Sequence, residues 1–404
     1  MKAVGLIVEY NPFHNGHAFH LHASKEAADA DIVIAVISGN FLQRGEPALV
    51  SKWARTKMAL AGGADLVLEL PYIFAAQKAE TFANGAVSIL AAAGCDALCF
   101  GSEDGDINAF LNTLDFLNEN QAQYNHKVKD YMKSGVSYPK ALSLSFEEFE
   151  GTDSLISLAK PNNILGYQYI KAIQDQKSSI KPLTVRRKNA DYHDEHFASE
   201  TIASATSIRK AIFGEDENAD KISQYVPQAT FDQLKLYFSE YGLFHQWENY
   251  WPFLKYRLLN MEANELQKIY EVEEGIENRM LKAAVSSSSF GDFMEKIKTK
   301  RYTWTRLQRA CVHILTNTHK EEMYLPQEKA SYMRLLGMSL AGREYLNKMK
   351  SHFSLPLVSK LSSFKEKPIH LDIKAAKVYS CALSGEKQEK LLKMEFNQPP
   401  IYMK

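Results

Sequence analysis

Two histidines and a glycine stand where an apolar run gives way to a polar, helix-like one: "VGLIVEYNPFHNGHAFHLHASKEAADAD". His14-Asn15-Gly16-His17 is thus placed at the start of the first helix. First-turn N–H groups of a helix lack intrahelical partners, and the helix dipole favours negative charge there. Gly16 removes the side chain that would hold a bulky ligand away from the backbone. His14 and His17, three apart, share a face once helical. Two imidazoles there can donate hydrogen bonds to phosphate oxygens as an α-phosphorus is attacked. That chemistry is nucleotidyl transfer, which rests on positioning and charge stabilisation and needs no protein nucleophile. A metal site built from His14, His17, His20 and His22 fits less well, because no acidic or cysteine ligand sits at the expected spacing. An H-x-G-H anywhere in a chain is ordinarily a pair of surface histidines. Its position right after an apolar strand favours the phosphate reading.

A second pattern is "SATSIRKAI". Ser204, Thr206 and Ser207 are N-cap choices, and Arg209 is expected in the first helical turn, where its charge opposes the dipole. A cation aimed at the β- and γ-phosphates accounts for it. From this segment alone, a capped helix with a solvated arginine accounts for it equally well.

The elements that must hold these residues follow from periodicity. "KAVGLIVE", "DIVIAVIS", "ADLVLELP" and "CDALCFGSE" are short continuous apolar runs. They alternate with the helical stretches "GHAFHLHASKEAADA", "SKWARTKMALAGG" and "AETFANGAVSILAAAG". Such alternation predicts a doubly wound α/β domain with a parallel sheet covered on both faces, binding ligands beyond the carboxyl ends of its strands. The loops Glu9 to His17, Ser38 to Arg44 and Gly101 to Asp104 leave such ends. The polar helical stretch 108–158 reads as an insertion or cover. "KPNNILGYQYIKAI" then gives a helix, "LTVRRK" a strand and "ASATSIRKAIF" a last helix. After Gly214 an acidic, polar segment suggests a boundary. The pattern is helical to about residue 325, and 326–404 reads as a small strand-helix-strand unit.

Bulk properties set bounds. A chain of 404 residues, 45% hydrophobic, can bury a sizeable core, and its length favours two or three domains. Lys plus Arg equals Asp plus Glu at 48 each, so a polyanionic partner needs a local basic face. The four cysteines, Cys95, Cys99, Cys311 and Cys381, form no disulfide framework for a chain this size, which suits a reducing compartment. No signal-peptide pattern opens the chain, and no apolar run approaches the ~18 residues of a membrane span. A cytoplasmic protein with no membrane partner is expected.

The H-x-G-H after the first strand, together with Ser204-Ala205-Thr206-Ser207-Ile208-Arg209, resembles the HIGH-type nucleotidyltransferase superfamily, which implies a HUP/Rossmann-like core. The superfamily's second motif commonly reads Ser-Ser-Thr-x-Ile-Arg, so Ala205 departs from it by one hydroxyl. No KMSKS-like lysine loop is evident. The set "GLIVEYNPFHNGHAFHL", "SGNFLQRGEPALVSKWARTKMAL", "GADLVLELP", "FGSE", "PNNILGYQY", "VRRK" and "KTKRYTWTRLQRACVHIL" is similar to the tRNA(Met) cytidine acetate ligase family along essentially the whole chain. Members activate acetate with ATP to acetyl-adenylate. They then acetylate the wobble cytidine of elongator tRNA(Met), giving N(4)-acetylcytidine.

The resemblance implies a division into a catalytic domain (1–214), a helical tRNA-binding region (215–325) and a small α/β unit (326–404). It implies that Ile7, Val8, Glu9, Tyr10, Asn11, Pro12, Phe13, His14, Asn15, Gly16, His17, Ala18, Phe19 and His20 wrap ATP, with His14, His17 and Arg209 as the catalytic groups. Gly101 would face the nucleotide, Asn162 would hydrogen-bond it, and Arg187 would neutralise a phosphate. Asn40, Gln43 and Arg44 are candidates for acetate or the acceptor cytidine. Lys296, Lys298, Lys300, Arg301, Arg306 and Arg309, interleaved with Tyr302 and Trp304 and extended by Lys255 and Arg257, are candidates for tRNA: cations for the backbone, aromatics for unstacked bases. Mg²⁺ is expected with ATP, without dedicated protein ligands. The competing readings are an adenylyltransferase acting on a small phosphorylated metabolite, which needs no tRNA, and a non-catalytic RNA-binding factor.

Overall fold

The computed structural model describes residues 1–149, 154–187, 202–214, 222–364 and 368–404. The acidic segment expected to mark a boundary after Gly214 lies mostly outside them. The first part of the chain alternates as the apolar runs dictate. In order come β1 (Ala3–Val8), α1 (Asn15–Ala27), β2 (Ile32–Ser38), α2 (Lys52–Ala61), β3 (Leu66–Leu70), α3 (Tyr72–Ala75), α4 (Ala79–Ala92) and β4 (Ala97–Ser102). Three helices, α5 (Ile107–Glu119), α6 (Gln121–Lys133) and α7 (Tyr138–Glu147), form the polar stretch before α8 (Pro161–Asp175), β5 (Lys181–Arg186) and α9 (Ala205–Ile212).

Every residue of β2 is buried, as is every residue of β3, which is why these strands read as apolar runs, interrupted in β3 by the buried Glu69. β1 pairs in parallel with β2 and with β4, β2 with β3, and β4 with β5. The sheet order is β5-β4-β1-β2-β3-β6-β7. The chain winds outward from β1 through β2 and β3, then returns to β4 on the other side. A crevice therefore opens beyond the carboxyl ends of β1 and β4, where doubly wound sheets hold their ligands.

The chain continues through α10 (Gln228–Tyr241), α11 (Trp247–Asn260), α12 (Ala263–Leu266), α13 (Ile276–Ser286), α14 (Phe290–Ile297) and α15 (Trp304–Leu315). Next come β6 (Met333–Ser339), α16 (Leu340–Met349), β7 (Leu357–Val358), α17 (Ile369–Ser380), α18 (Gly385–Asn397) and β8 (Ile401–Met403). The stretch read from sequence as a small tail unit joins the main sheet. β6 pairs antiparallel with β3, Glu69 opposite Arg334, and β7 and β8 pair in parallel with β6. Buried charges fasten this seam. Lys52 Nζ lies 2.7 Å from Glu69 Oε1 and 2.8 Å from Glu395 Oε1, and Arg334 Nη1 lies 3.1 Å from Glu69 Oε2. Each of these ions is stable out of water only because its partners are present. Among the described residues no helix is long and apolar enough to cross a membrane.

Candidate active site

The entry to α1 is capped by its own histidines. His14 is the N-cap, in extended conformation, and its Nδ1 accepts the Gly16 N–H at 3.1 Å. His17, three residues on, accepts the His14 N–H on its Nδ1 at 3.3 Å. This is a capping box with imidazoles in place of the usual hydroxyl and carboxylate. The two rings lie against each other with centroids 3.7 Å apart. A Cβ on Gly16 would come within 2.9 Å of His14 Cε1, so the glycine is needed for the ring to sit there at all.

These bonds alter the expectation drawn from the motif. The first N–H groups of α1 do not await a ligand: Asn15 N–H bonds Tyr225 O at 3.0 Å, Gly16 N–H bonds His14 Nδ1, and His17 N–H bonds His14 O at 2.8 Å. What the helix end offers is the far edge of the rings. With Nδ1 accepting a backbone proton, each neutral ring carries its hydrogen on Nε2 and donates from there. Both are neutral. Burial, aided by Arg187 and Arg209, pushes His14 down to about 3, and burial with the neighbouring His14 holds His17 well below the usual range.

His14, Gly16, His17 and His20 line a cavity of about 280 Å³ at the crevice between β1 and β4. Ile7, Val8 and Glu9 reach it from the end of β1, Gly101 from β4, Arg187 from just beyond β5, Asn162 from α8, and Arg209 from α9. Phe19, Gln43 and Arg44 also line it. Tyr10, Asn11, Pro12, Phe13, Asn15 and Ala18 stand behind the wall. Asn11 Oδ1 accepts Leu49 N–H at 2.7 Å, and Tyr10 packs edge-on against Phe13 and His17. Asn40 is not brought to the cavity: it is buried at the base of the loop, where its carbonyl accepts Ala48 N–H.

Arg209 is the fifth residue of α9 and lies in its last turn, not its first, so its charge does not oppose the dipole. Ser204 caps that helix, accepting Ser207 N–H at 3.0 Å. The guanidinium reaches back to Asn11 O at 2.9 Å and to Glu46 Oε2 at 3.0 Å. Across the cavity Arg187 Nη1 lies 3.4 Å from Asn162 Oδ1. Asn162 is inside the first turn of α8, and Glu103 receives its Nδ2–H at 2.8 Å and the Asn163 N–H at 2.9 Å. Glu46, Glu103 and Arg55 were not singled out from sequence. Arg55 is fully buried and donates to the carbonyls of Glu9 at 2.8 Å, Ser38 at 3.0 Å and Gly39, tying together the ends of β1 and β2.

Gln43 and Arg44 form the tip of a small hairpin. Leu42 O accepts Gly45 N–H at 2.9 Å, and Gly45 has φ of +77°, the left-handed conformation that follows a tight hairpin turn. Its back rests on α15: a Cβ at Gly45 would meet Arg309 N at 2.3 Å. Trp247 Nε1–H bonds Gly45 O at 2.9 Å, and His245 N–H bonds Leu49 O at 2.9 Å. One side of this hairpin faces the cavity and the other is held by the helical region.

Comparison with known proteins now bears on this geometry. The family described as HIGH Nucleotidyl Transferase matches residues 1–394. The chain is 50% identical over 402 residues to the tRNA(Met) cytidine acetate ligase of Geobacillus sp. (strain WCH70), covering 99% of this chain and 100% of that one. It is 49% identical over 405 residues to that of Bacillus subtilis (strain 168), covering 99% and 97%. The chain belongs to the tRNA(Met) cytidine acetate ligase family. The crystal structure of apo Thermotoga maritima TmcAL superposes with a TM-score of 0.92 at 32% identity, covering all of both chains. The same protein bound with alpha-thio ATP gives 0.91, so a member of this fold has been seen holding a nucleotide.

The candidates for tRNA contact divide by exposure. Lys300 is exposed, and Arg301 is half-exposed with Glu274 3.9 Å away. Lys296 pairs with Asp292 at 2.8 Å, and Lys298 Nζ donates to Tyr302 O at 2.8 Å. Arg306 pairs with Glu273 at 3.1 Å and lies 4.5 Å over the Tyr302 ring. Arg309 is buried and held by Glu271 at 2.8 Å, because the helix turns this residue inward. Tyr302 was expected to stack on bases, but it is buried with its hydroxyl on Glu273 O. Trp304 and Tyr256, beside the basic candidates in sequence, are exposed, 40% and 68% accessible. Lys255 donates to Ser287 O at 2.7 Å, and Arg257 to Asn317 Oδ1.

Proposed function

We propose that this chain activates acetate with ATP and acetylates the exocyclic amine of the wobble cytidine in elongator tRNA(Met), giving N(4)-acetylcytidine in the cytoplasm. One observation carries the chemistry: two neutral imidazoles, their Nδ1 atoms taken by backbone N–H groups, share a cavity with the guanidiniums of Arg187 and Arg209 at the sheet's switch point. In the first step an acetate oxygen bonds to the α-phosphorus, and the bond to the β-phosphate oxygen breaks, releasing pyrophosphate. His14 and His17 donate to the α-phosphate oxygens as charge gathers there. Arg209 exchanges Glu46 for the departing phosphates, and Arg187 holds the phosphate side of the cavity. Gly101 faces the nucleotide: a Cβ there would make only ordinary contacts, the nearest 3.4 Å from Arg187 Cγ, so protein packing does not demand the glycine. Gln43 and Arg44, at the hairpin tip, hold acetate and the acceptor base.

Among the described residues no cluster of three His, Cys, Asp or Glu side chains is placed to hold a metal. Magnesium enters on the triphosphate, its charge offsetting that of the phosphates. For tRNA, Lys300 and Arg301 supply backbone contacts, and Trp304 and Tyr256 supply exposed rings for unstacked bases. We keep the division into 1–214, 215–325 and 326–404 as a division of labour, with nucleotide chemistry in the first part and tRNA contact in the second. Incubating the protein with ATP, labelled acetate and elongator tRNA(Met), then digesting to nucleosides, tests the reading. Label in acetylcytidine supports it. Pyrophosphate released from ATP and a phosphorylated metabolite, without tRNA or acetate, would replace it with the simpler adenylyltransferase.

A further inference from the structure

The two half-reactions make different demands on the cavity. Adenylation needs donors around phosphates, whereas acetyl transfer needs a group that takes a proton from the attacking amine. The histidines do not serve the second need. Nδ1 of His14 and of His17 is occupied by a backbone N–H, and Nε2 carries the ring's own hydrogen. His20, also lining the cavity, lies near Arg187: a Cβ on Gly101 would sit 3.4 Å from Arg187 and 3.6 Å from His20. Arg187 lowers the pKa of all three rings, so this is the cationic end, suited to a triphosphate.

Two carboxylates line the same cavity, beside Arg44 and Arg209. Among the described residues lining the cavity, Glu9 and Glu46 are the acidic ones. Glu46 is engaged with Arg209 at 3.0 Å. Glu9 leaves β1 directly into the cavity. Its Oε1 accepts Gln43 N–H at 2.8 Å, which anchors that oxygen, and its Oε2 makes no hydrogen bond among the described residues. A carboxylate beside the hairpin tip repels phosphate and attracts an N–H donor.

We propose that Glu9 is the general base of acetyl transfer. The inference rests on the ligase reading above. The amine lone pair of the acceptor cytidine forms a C–N bond at the acetyl carbonyl carbon of acetyl-adenylate. The bond from that carbon to the phosphate oxygen breaks, its electron pair leaving on AMP, and one amine proton passes to Glu9 Oε2. The surroundings suit the task. Burial raises the Glu9 pKa and Glu46 adds to the rise, while Arg44 on the hairpin and Arg209 on α9 oppose it. Arg55 from α2 binds the Glu9 carbonyl, Tyr169 from α8 lies within its field, and the neutral His14 and His17 from α1 line the same cavity. A carboxylate shifted toward neutrality is a more effective base near neutral pH.

The test compares two rates in the whole protein across pH 5 to 9: acetate-dependent exchange of labelled pyrophosphate into ATP, and single-turnover acetylation of tRNA. Glu9→Gln keeps an oxygen for the Gln43 N–H and cannot accept a proton. Its acetyl transfer falls at least about a hundredfold further than its exchange, and the rise of transfer with pH disappears. Glu9→Asp, with a shorter carboxylate, restores a pH-dependent limb at reduced rate. Equal loss of both rates in the glutamine variant, or transfer at the unaltered protein's rate, overturns the assignment. Failure of the unaltered protein to form acetylcytidine is a different result, and it removes the ligase reading itself.

Discussion

Gly16→Ala separates the two things the opening motif does. The added methyl would lie 2.9 Å from His14 Cε1 and 3.1 Å from its Nδ1, atoms of a ring stacked on His17 at 3.7 Å. The His14 ring must swing aside, releasing the Gly16 N–H it accepts at 3.1 Å. Loss of an N-cap side chain costs about 0.5–2 kcal/mol. Alanine in place of glycine in a helix returns up to about 1 kcal/mol. The two nearly offset, so global stability by denaturant titration changes by no more than about 1 kcal/mol. Catalysis has no such compensation. Displacing one donor from developing phosphate charge costs about 2.7–4 kcal/mol, a hundred- to thousandfold in rate. Acetate-dependent pyrophosphate exchange reads this directly. A variant exchanging within threefold of the unaltered protein refutes the role given to the His14 ring, and a large stability loss would assign the motif to folding alone.

Three further outcomes follow from named contacts. His245 and His313 are buried with pKa values lowered by burial to about 3, so the unfolded chain binds more protons than the folded one once pH drops below about 6.5. The stability they hold is complete above that pH and is lost as pH falls. Each ring then costs about 1 kcal/mol between pH 7 and 5.5, which denaturant titrations at the two pH values measure and which His313→Asn should reduce. Lys300→Ala and Arg301→Ala each lower the salt slope of tRNA binding by about 1. Arg309→Ala leaves Glu271 unpaired at 11% side-chain exposure, so it destabilises the fold by a few kcal/mol and leaves that slope unchanged. Trp247→Phe keeps a ring to stack on Phe290, 4.2 Å away, but removes the donor to Gly45 O, so hydrogen exchange of the hairpin amides quickens while the α2 amides keep their protection.

The strands were the most legible part of this fold. β1 to β4 lie within a residue or two of the apolar runs, because a strand buried on both faces has no polar alternation to blur it. The pairing of β6 with β3 was not legible. Leu66 and Met338 are partners across most of the chain, and no local pattern encodes such a contact. β8, three residues after two prolines, is too short to show periodicity. At the site, H-x-G-H marked the start of α1 and a wall of the cavity, while the capping box it forms was hidden because imidazoles seldom cap helices. Arg209 was read one turn too early. Glu46, Glu103 and Arg55 carry no spacing signature, and their roles arise from where the crevice closes. Among the basic candidates, Arg309 lies three residues after Arg306 on α15, yet one is buried and the other half-exposed, a difference set by the Gly45 hairpin packed against the helix.

The central claim is that a triphosphate docks against the imidazole-capped end of α1. A crystal structure of this chain with a non-hydrolysable ATP analogue tests it most directly. The account predicts α-phosphate oxygens about 3 Å from Nε2 of His14 and His17, with Arg209 turned from Glu46 toward the phosphates. A triphosphate bound outside this cavity, or one inside it that both rings ignore, contradicts the account.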